Sequence, residues 1–80
     1  MRYVYLLESV KDPGQRYIGL TSNVKRRLKD HNFGKSAHTA KHKPWKLVAA
    51  LFFQDDARAA EFERYLKTGS GQAFASRHFW

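Results

Sequence analysis

Blocks of hydrophobic residues, separated by polar stretches, predict three β-strands along this chain. Two aromatic and β-branched blocks flank a Pro-Gly turn and predict a hairpin over residues 3–7 and 16–20, turning at Asp12-Pro13-Gly14. A third block, residues 45–53, is apolar nearly throughout after Lys46. Continuous apolar runs are typical of strands covered on both sides, so we expect this strand to be buried on both faces.

The first helix signal follows the hairpin. Residues 24–32 are predicted to be helical, with N-cap candidates directly before them at Thr21, Ser22 and Asn23. Gly34 is expected to end this helix. Residues 35–43 show no apolar periodicity and are predicted to form a basic loop that Pro44 closes.

Two more helices are predicted after the third strand. One covers residues 57–67, with Asp55 or Asp56 as its cap and Gly69 just beyond its end. A short last helix covers residues 72–78. The order ββαβαα predicts an α/β (α+β) fold, a small three-stranded, mainly antiparallel sheet flanked by helices, in one domain over residues 1–80.

Polar residues occupy the face of the first helix that should be apolar. At about 100° per residue, Val24 and Leu28 define this face, and His31 and Arg27 fall within about 60° of Val24. A core histidine satisfied by a carbonyl, or an arginine reaching solvent along its stem, would explain either residue alone. The pair on one face of a basic protein favours a functional cleft. The outward positions are Lys25, Arg26, Lys29 and Asp30.

The second long helix has a glutamate at each edge of its predicted buried stripe. The stripe consists of Phe62, Leu66, Ala59 and Tyr65. Glu63 lies at one edge and Glu61 at the other. An edge glutamate usually pairs with a lysine one turn away, and Lys67 is four residues after Glu63. That interpretation weakens if the edge faces the same cleft as the first helix.

Basic charge is concentrated in one stretch of the chain. Of 15 Lys and Arg and 7 Asp and Glu, eight bases and one acid lie between Lys25 and Lys46, which leaves seven bases and six acids elsewhere. A local field of this sign suits a phosphate backbone. A merely solvated basic surface is the alternative, and nucleic acid is the favoured partner.

The composition excludes several classes of protein. There is no cysteine, so disulfides and thiolate metal sites are excluded, which fits a reducing compartment. Glu8 comes too early for the apolar region of a signal peptide, and no apolar run approaches the roughly 18 residues of a membrane span. We expect a soluble, cytoplasmic protein without membrane association.

Two tyrosines lie in neighbouring predicted strands, at Tyr5 and Tyr17. Paired strand tyrosines ordinarily pack across the sheet. Together with Arg27, His31 and an edge glutamate they would also form a usable phosphodiesterase site. Phosphoryl transfer needs a proton acceptor for water, a cation over the developing charge and a carboxylate that holds a metal ion.

The order and spacing of these residues resemble the GIY-YIG nuclease superfamily over essentially the whole chain. Tyr17-Ile18-Gly19 follows the first strand, and Arg27 and His31 come eight and twelve residues after Gly19. The likeness is closest to small stand-alone bacterial members, and it extends to the nuclease domain of the excision-repair nuclease subunit. The runs shared with the small members are His31-Asn32-Phe33-Gly34, Pro44-Trp45-Lys46-Leu47-Val48 and Leu66-Lys67-Thr68-Gly69-Ser70-Gly71.

The resemblance implies a catalytic site made of Tyr5, Tyr17, Arg27, His31 and Glu63. Tyr5 and Tyr17 match the tyrosines of the two halves of the name motif. Arg27 matches the phosphate-binding arginine, and His31 matches the histidine that many members have one helical turn later. Glu63 matches the metal ligand because an apolar residue, Leu66, follows three positions later. Glu61 lacks that neighbour and is the second choice.

The implied mechanism is one-metal, in-line hydrolysis with Mg²⁺ or Mn²⁺ held by Glu63 and water. Arg27 would stabilise charge on the phosphoryl oxygens. A tyrosine would accept the proton of water, although a free phenol has a pKa of about 10 that nearby cations must lower. Tyr5 assisted by His31 is the expected base, with Tyr17 orienting the water, and the reverse order stays open.

Predicted DNA contacts cluster in and beside the stretch from Lys25 to Lys46, which we call the basic segment. At Gly19 the missing side chain would let the backbone approach the scissile phosphate. The other predicted contacts are Lys25, Arg26, Lys35, Thr39, Lys41 and Lys43. The first glycine of the name motif is replaced by Tyr3, which is harmless if the strand tolerates a side chain. The asparagine that larger members carry near the end of the domain has no counterpart here.

The predicted function is a metal-dependent endonuclease of DNA, acting in repair, recombination or processing. Branched and damaged DNA are open alternatives for the substrate, as is a protein partner for targeting, because no DNA-binding domain is appended. A non-catalytic nucleic-acid-binding module with the same fold is the main rival function, and an RNA-associated accessory protein is the third. A pure binder has no use for the glutamate, which favours the enzyme.

Overall fold

Three antiparallel strands form the sheet on which the chain folds. The computed structural model describes residues 1–80. In it, β1 (Arg2–Ser9) lies between β2 (Arg16–Thr21) and β3 (Trp45–Phe53), which gives the spatial order β2-β1-β3. Both pairings are antiparallel. The predicted fold class, the three strands and the hairpin are confirmed.

The turn between β1 and β2 closes at the predicted Pro-Gly pair. Gly14 has a φ of 130°, which glycine adopts without steric cost. The Gln15 N–H donates to the Asp12 carbonyl at 2.9 Å, and the Ser9 N–H donates to the Gln15 carbonyl at 3.0 Å. The Ser9 hydroxyl also accepts from the Asp12 N–H at 2.9 Å. These bonds set the register of the hairpin.

Four helices complete the fold: α1 (Val24–Asn32), α2 (Ala37–Ala40), α3 (Asp56–Leu66) and α4 (Gly69–His78). The first has the predicted bounds. Its cap is Asn23, whose side chain accepts from the Arg26 N–H at 3.1 Å, and Asp55 caps α3 in the same way. Gly34, with a φ of 78°, turns the chain away after α1 as expected. None of the four has the length and apolar character that crossing a bilayer requires.

Two helix predictions need correction. Residues 35–43, predicted as a loop, contain the single turn α2. The last helix, predicted from residue 72, begins at Gly69 because Thr68 caps it, with the Thr68 hydroxyl accepting from the Gly71 N–H at 3.1 Å. Gly69 is therefore the first residue of α4, and α3 already ends at Leu66.

The prediction that the third strand is buried on both faces is wrong. β3 lies at an edge of the sheet, where Leu47 and Phe52 are 42% and 51% exposed. The central strand is β1, whose Val4 and Leu6 are completely buried. The Phe52 ring packs against Tyr3, 5.3 Å between centroids, so the strand accommodates a side chain at Tyr3. An apolar run does not specify strand order, which depends on tertiary pairing.

Alternate residues of β1 serve two different interiors. Val4 and Leu6 pack with Ile18, Ala59, Leu66 and Ala75 on the side of the sheet covered by α3 and α4. We call this side the α3–α4 face. Tyr65, predicted to be buried there, is exposed at its margin. Tyr5 and Leu7 point to the opposite side, the α1 face, where Trp45, Tyr17, Val24 and Leu28 pack around them.

Candidate active site

A histidine occupies the interior position on α1 that the helical pattern would give to an apolar residue. His31 is completely buried, whereas Val24 and Leu28 on the same face are only half-buried. Burial of an imidazole is costly unless its ring nitrogens have hydrogen-bonding partners. Both nitrogens of His31 have one. Its predicted place on the buried face of the helix is confirmed.

The first partner of His31 is Tyr5, from the central strand. The Tyr5 hydroxyl lies 2.9 Å from His31 Nε2, and Tyr5 is only 1% exposed. Tyr17 lies diagonally across the hairpin, because Tyr5 is opposite Gly19 and Leu7 is opposite Tyr17. The Tyr17 ring centroid is 4.7 Å from that of His31 and 6.0 Å from that of Tyr5. Both tyrosines and the histidine thus come together.

The second partner of His31 is Thr39, on the short helix α2. Thr39 Oγ1 lies 2.8 Å from His31 Nδ1 and 3.4 Å from the Ser36 carbonyl oxygen. Thr39 was predicted to contact DNA, but it is only 1% exposed and the prediction is wrong. Its hydroxyl contacts His31 instead. No local pattern in the sequence indicates this link, which joins α1 to a segment predicted as a loop.

Arg27 joins this group from one turn earlier on α1 and acts on its electrostatics. Hydrogen bonding to the Tyr5 phenol raises the pKa of Arg27. Burial raises the pKa of Tyr5, and the bond with Arg27 opposes that rise only in part. Burial lowers the pKa of His31, and the charge of Arg27 lowers it further. The surrounding side chains therefore keep Tyr5 and His31 neutral and do not lower the Tyr5 pKa in the way expected from the sequence.

Asp30 connects Arg27 to Lys35, a lysine beyond the end of α1. Its carboxylate lies 3.5 Å from Arg27 Nη1 and 3.4 Å from Lys35 Nζ. The Asp30 side chain is mostly buried, which corrects the prediction that it points outward. Through this contact the Arg27 guanidinium is held at the margin of the cluster, close enough to Tyr5 to affect its pKa, and it remains partly exposed to solvent.

Gly19 lies against the ring of Tyr5. A Cβ at this position would come within 2.6 Å of Tyr5 Cζ and of the phenol oxygen, a distance that real side chains do not tolerate. Gly19 is buried. The requirement for glycine here is thus explained by the position of the tyrosine. Close approach of its backbone to a phosphate stays a separate prediction.

Glu63 is mostly buried at the edge of α3 and forms an ion pair with Lys67 one turn later, whereas Glu61 is exposed. No group of three or more acidic or histidine side chains comes together in the structure. Mg²⁺ keeps several waters and often binds through one or two carboxylates together with substrate phosphates, and carboxylate and water also suit Mn²⁺. One carboxylate with water could hold such an ion here only in exchange for Lys67, and the pair with Lys67 is the one that the surface-partner interpretation predicts. No hydrogen bond or ion pair joins Glu63 to the tyrosines, Arg27 or His31.

A cleft of about 420 Å³ beside the edge strand β2 connects Tyr17 with Lys67. Ligand-binding clefts in proteins are typically of this size. The other polar and aromatic side chains along its wall are Gln15, Arg16, His38, Gln72 and Trp80, and no carboxylate lines it. The Arg16 guanidinium lies 4.8 Å above the centroid of the Trp80 ring. Sequence reasoning missed these five because separate parts of the chain supply them.

The predicted DNA contacts of the basic segment lie on the surface. Lys25, Arg26, Lys41 and Lys43 are exposed and form no ion pair. Lys35 is also exposed, but its ammonium is shared with Asp30. The structure thus leaves most of the positive charge of this segment without an internal counter-ion.

Comparison with known families agrees with this assembly. The family model described as the GIY-YIG catalytic domain matches residues 1–75, a range that includes all five predicted catalytic residues. The chain belongs to the GIY-YIG family of nucleases.

The relatives include small bacterial proteins and one domain of a larger enzyme. A UPF0213 protein of Streptococcus agalactiae is 39% identical over 72 residues, which cover 89% of this chain and 80% of the relative. A UPF0213 protein of Clostridium perfringens is 41% identical over 68 residues, 84% of this chain and 71% of the relative. The structure-specific endonuclease subunit SLX1 of Candida dubliniensis is 35% identical over 82 residues, 94% of this chain but 27% of the relative. The predicted likeness to small bacterial members is confirmed, and the chain spans about a quarter of that SLX1 subunit.

Proposed function

We propose that this protein is a metal-dependent endonuclease that hydrolyses DNA phosphodiester bonds. The observation that carries the proposal is the buried pair of Tyr5 and His31, with Tyr17 and the partly exposed Arg27 beside it. Polar groups in an interior cost free energy unless they are fully paired, and proteins depart from apolar packing mainly at functional sites. The uncompensated basic segment next to this group supports a phosphate-containing substrate.

Tyr17 is the side chain that accepts the proton of the attacking water in this proposal. A general base must come within hydrogen-bonding reach of the proton that it removes. Tyr17 is partly exposed and lines the cleft, whereas Tyr5 is 1% exposed and its hydroxyl already bonds to His31. This reverses the order expected from the sequence. Tyr5 and His31 lie behind Tyr17 and hold its ring in place.

Arg27 stabilises the negative charge that develops on the phosphoryl oxygens. Its guanidinium is partly exposed and lies beside the Tyr5 phenol, with Asp30 restricting its movement. A fixed guanidinium offers two parallel donors to a phosphate and needs no reorganisation during the reaction. The partial exposure leaves it accessible to a substrate that reaches the surface of the site.

Glu63 is the residue that would hold Mg²⁺ or Mn²⁺, together with water and substrate phosphate. Such an ion supplies Lewis-acid stabilisation of the leaving oxygen. The metal ion would replace the Lys67 ammonium on this carboxylate. Glu63 is mostly buried, which supports a role beyond solvation, whereas Glu61 is exposed and is the weaker choice.

DNA is the proposed substrate, and a strand next to the cleft would place a phosphate near Tyr17. Repair, recombination and processing remain the candidate pathways. A structure-specific endonuclease subunit among the relatives supports branched DNA as a substrate and a second protein as a targeting partner. The cytoplasmic location stays a prediction.

Nicking of supercoiled plasmid tests the proposal. Wild type should nick with Mg²⁺ or Mn²⁺ and not with EDTA. With Mg²⁺ or Mn²⁺ present, Glu63→Gln should cut no faster than wild type does in EDTA. Its DNA affinity, measured in EDTA, should equal or exceed that of wild type, since one negative charge near the phosphate is removed. Glu61→Gln is the matched control on the same helix and should cut normally.

Two other outcomes of this experiment would change the proposal. An active Glu63→Gln with an inactive Glu61→Gln would move the metal site to Glu61. Wild type that binds DNA tightly but never cuts it would favour the non-catalytic binding module.

A further inference from the structure

The position of Thr39 is not explained by the mechanism above. Thr39 is buried, although its neighbours Lys41 and Lys43 in the basic segment are exposed. Its backbone is held from another direction, since the indole Nε1–H of Trp45 donates to the Thr39 carbonyl at 2.9 Å. The Thr39 hydroxyl points in another direction and lies 2.8 Å from His31 Nδ1.

The partners of this buried group determine where its protons lie. The Thr39 O–H donates to the Ser36 carbonyl oxygen at 3.4 Å, which leaves Thr39 Oγ1 to accept from His31 Nδ1 at 2.8 Å. A neutral imidazole that carries its proton on Nδ1 accepts at Nε2. The Tyr5 hydroxyl, 2.9 Å from Nε2, therefore donates to His31.

The hydrogen bonds thus run in one direction, from Tyr5 through His31 and Thr39 to Ser36. The His31 Nδ1–H donates to Thr39 Oγ1, and the Thr39 O–H is directed at the Ser36 carbonyl oxygen 3.4 Å away. A carbonyl can only accept. It therefore terminates the chain and fixes the direction in which every proton points.

We propose that Thr39 is a positioning residue, which holds His31 in the Nδ1–H tautomer with its Nε2 lone pair directed at the Tyr5 hydroxyl. The inference rests on the proposed function, in which Tyr5 and His31 support Tyr17. A histidine whose second nitrogen is fixed by a hydrogen bond has one defined tautomer and ring orientation. Thr39 supplies that bond from the segment that also carries the DNA-binding lysines.

The tautomer of His31 is measured by long-range ¹H–¹⁵N spectra of histidine-labelled protein, which show which ring nitrogen bears the proton. Wild type should show a single His31 species with the proton on Nδ1. Thr39→Val removes the hydroxyl but keeps the branched shape, and it should give a mixture of tautomers. Thr39→Ser keeps the hydroxyl and should retain the wild-type tautomer.

Single-turnover nicking by the same variants provides the second readout. Thr39→Val should be slower by about ten-fold, the factor that corresponds to one ordinary hydrogen bond. Thr39→Ser should recover most of that rate. DNA affinity in EDTA should be the same for all three proteins, because the hydroxyl is buried.

Failure of this inference and failure of the proposed function give different results. A wild-type His31 with its proton on Nε2 would overturn the positioning role, and this measurement needs no variant. An unchanged tautomer in Thr39→Val, or weaker DNA binding as its only effect, would overturn it as well. Spectra that agree with the inference, from a protein that cuts no DNA, would uphold the role of Thr39 and refute the endonuclease.

Discussion

The two faces of the sheet are built from alternate residues of one strand, yet they bury different chemistry. On the α3–α4 face, Val4 and Leu6 meet only apolar partners such as Leu66. On the α1 face, Tyr5 meets His31 through a hydrogen bond, and Thr39 continues the polar group. Period-two alternation along β1 thus separates a stabilising interior from a chemical one.

This separation has an energetic consequence. Apolar burial contributes free energy without needing exact partners, whereas a buried polar group contributes little net stability even when it is paired. We infer that the α3–α4 face supplies most of the stability and that the α1 face uses part of it to hold polar side chains in place. No buried side-chain nitrogen or oxygen lacks a partner, which keeps the cost of the α1 face low.

The largest expected effect is on catalysis, from a change on the α1 face. His31→Leu should slow single-turnover nicking by about 10²–10⁴, the usual share of a general base, because the ring of the proposed base Tyr17 loses the histidine that holds it in place. Its stability should fall by only about 1–3 kcal/mol, since Tyr5 and Thr39 each lose a partner while apolar burial increases. His78→Leu, at an exposed histidine, is the control and should have little effect on the rate.

A fully active and more stable His31→Leu would contradict this comparison. His31 would then be an ordinary core residue, and the α1 face would not be the chemical one.

The second prediction concerns the opposite face. Leu66 is completely buried, and Leu66→Ala should lower the free energy of unfolding by about 2–5 kcal/mol. The nicking rate of the folded fraction should not change. Leu47→Ala, at a half-exposed position on β3, is the matched control and should cost much less. Urea unfolding and single-turnover rates at low temperature measure both quantities, and a slow but folded Leu66→Ala would mean that the two faces are coupled.

Features of the fold that depend on neighbouring residues could be predicted from the sequence. The caps at Asn23 and Asp55 and the turn at Gly14 are local signals. The burial of His31 follows from the helical period alone. Each of these needs only the chemistry of a few adjacent positions.

Features that depend on distant contacts could not be predicted. The exposed positions of β3 follow from its place at the edge of the sheet, which its apolar run does not reveal. The prediction that Thr39 contacts DNA fails because the packing of α2 buries its side chain against His31. The wall of the cleft combines Arg16, Gln72 and Trp80 from both ends of the chain.

The third prediction tests how closely the hairpin fits the polar cluster. Gly19→Ala would place a methyl group 2.6 Å from the Tyr5 phenol, so the ring that bonds to His31 must move. We expect a loss of stability of about 1–3 kcal/mol, typical of overpacking, together with slower nicking. In a Tyr5→Leu background, where the phenol is absent, Gly19→Ala should cost much less stability than it does in wild type. Gly69→Ala is the control, because no atom lies within 4 Å of the added methyl group, and it should preserve stability and nicking rate. A Gly19→Ala variant with unchanged stability and rate would contradict this description of the packing.

The fourth prediction is a pH dependence that arises on the α1 face. Burial, and then the charge of Arg27, lower the pKa of His31 in the folded protein. The unfolded chain therefore binds a proton at His31 more readily than the folded protein does. The contribution of His31 to the free energy of unfolding is constant above about pH 6.5, the pKa of a free histidine. Below it, the free energy of unfolding falls by at most about 1.4 kcal/mol per pH unit until the pH reaches the lower pKa of the folded protein. Urea unfolding between about pH 5 and 7.5 should show this slope in wild type and not in His31→Gln. Equal slopes in the two proteins would mean that His31 titrates as a free histidine.

The smallest expected effect concerns the surface beyond both faces. Lys41 and Lys43 are exposed without ion pairs, so Lys41→Gln with Lys43→Gln should lower the salt dependence of DNA affinity. On duplex DNA, log K changes with log salt by about 0.9 for each phosphate contact that is neutralised. Arg58→Gln with Arg77→Gln removes the same charge from exposed positions on α3 and α4, and it should leave the slope nearly unchanged. Cleavage at saturating protein should be normal in both double variants.

Equal slopes for the two double variants would attribute binding to overall charge rather than to the basic segment. An affinity independent of salt would exclude nucleic acid as the partner.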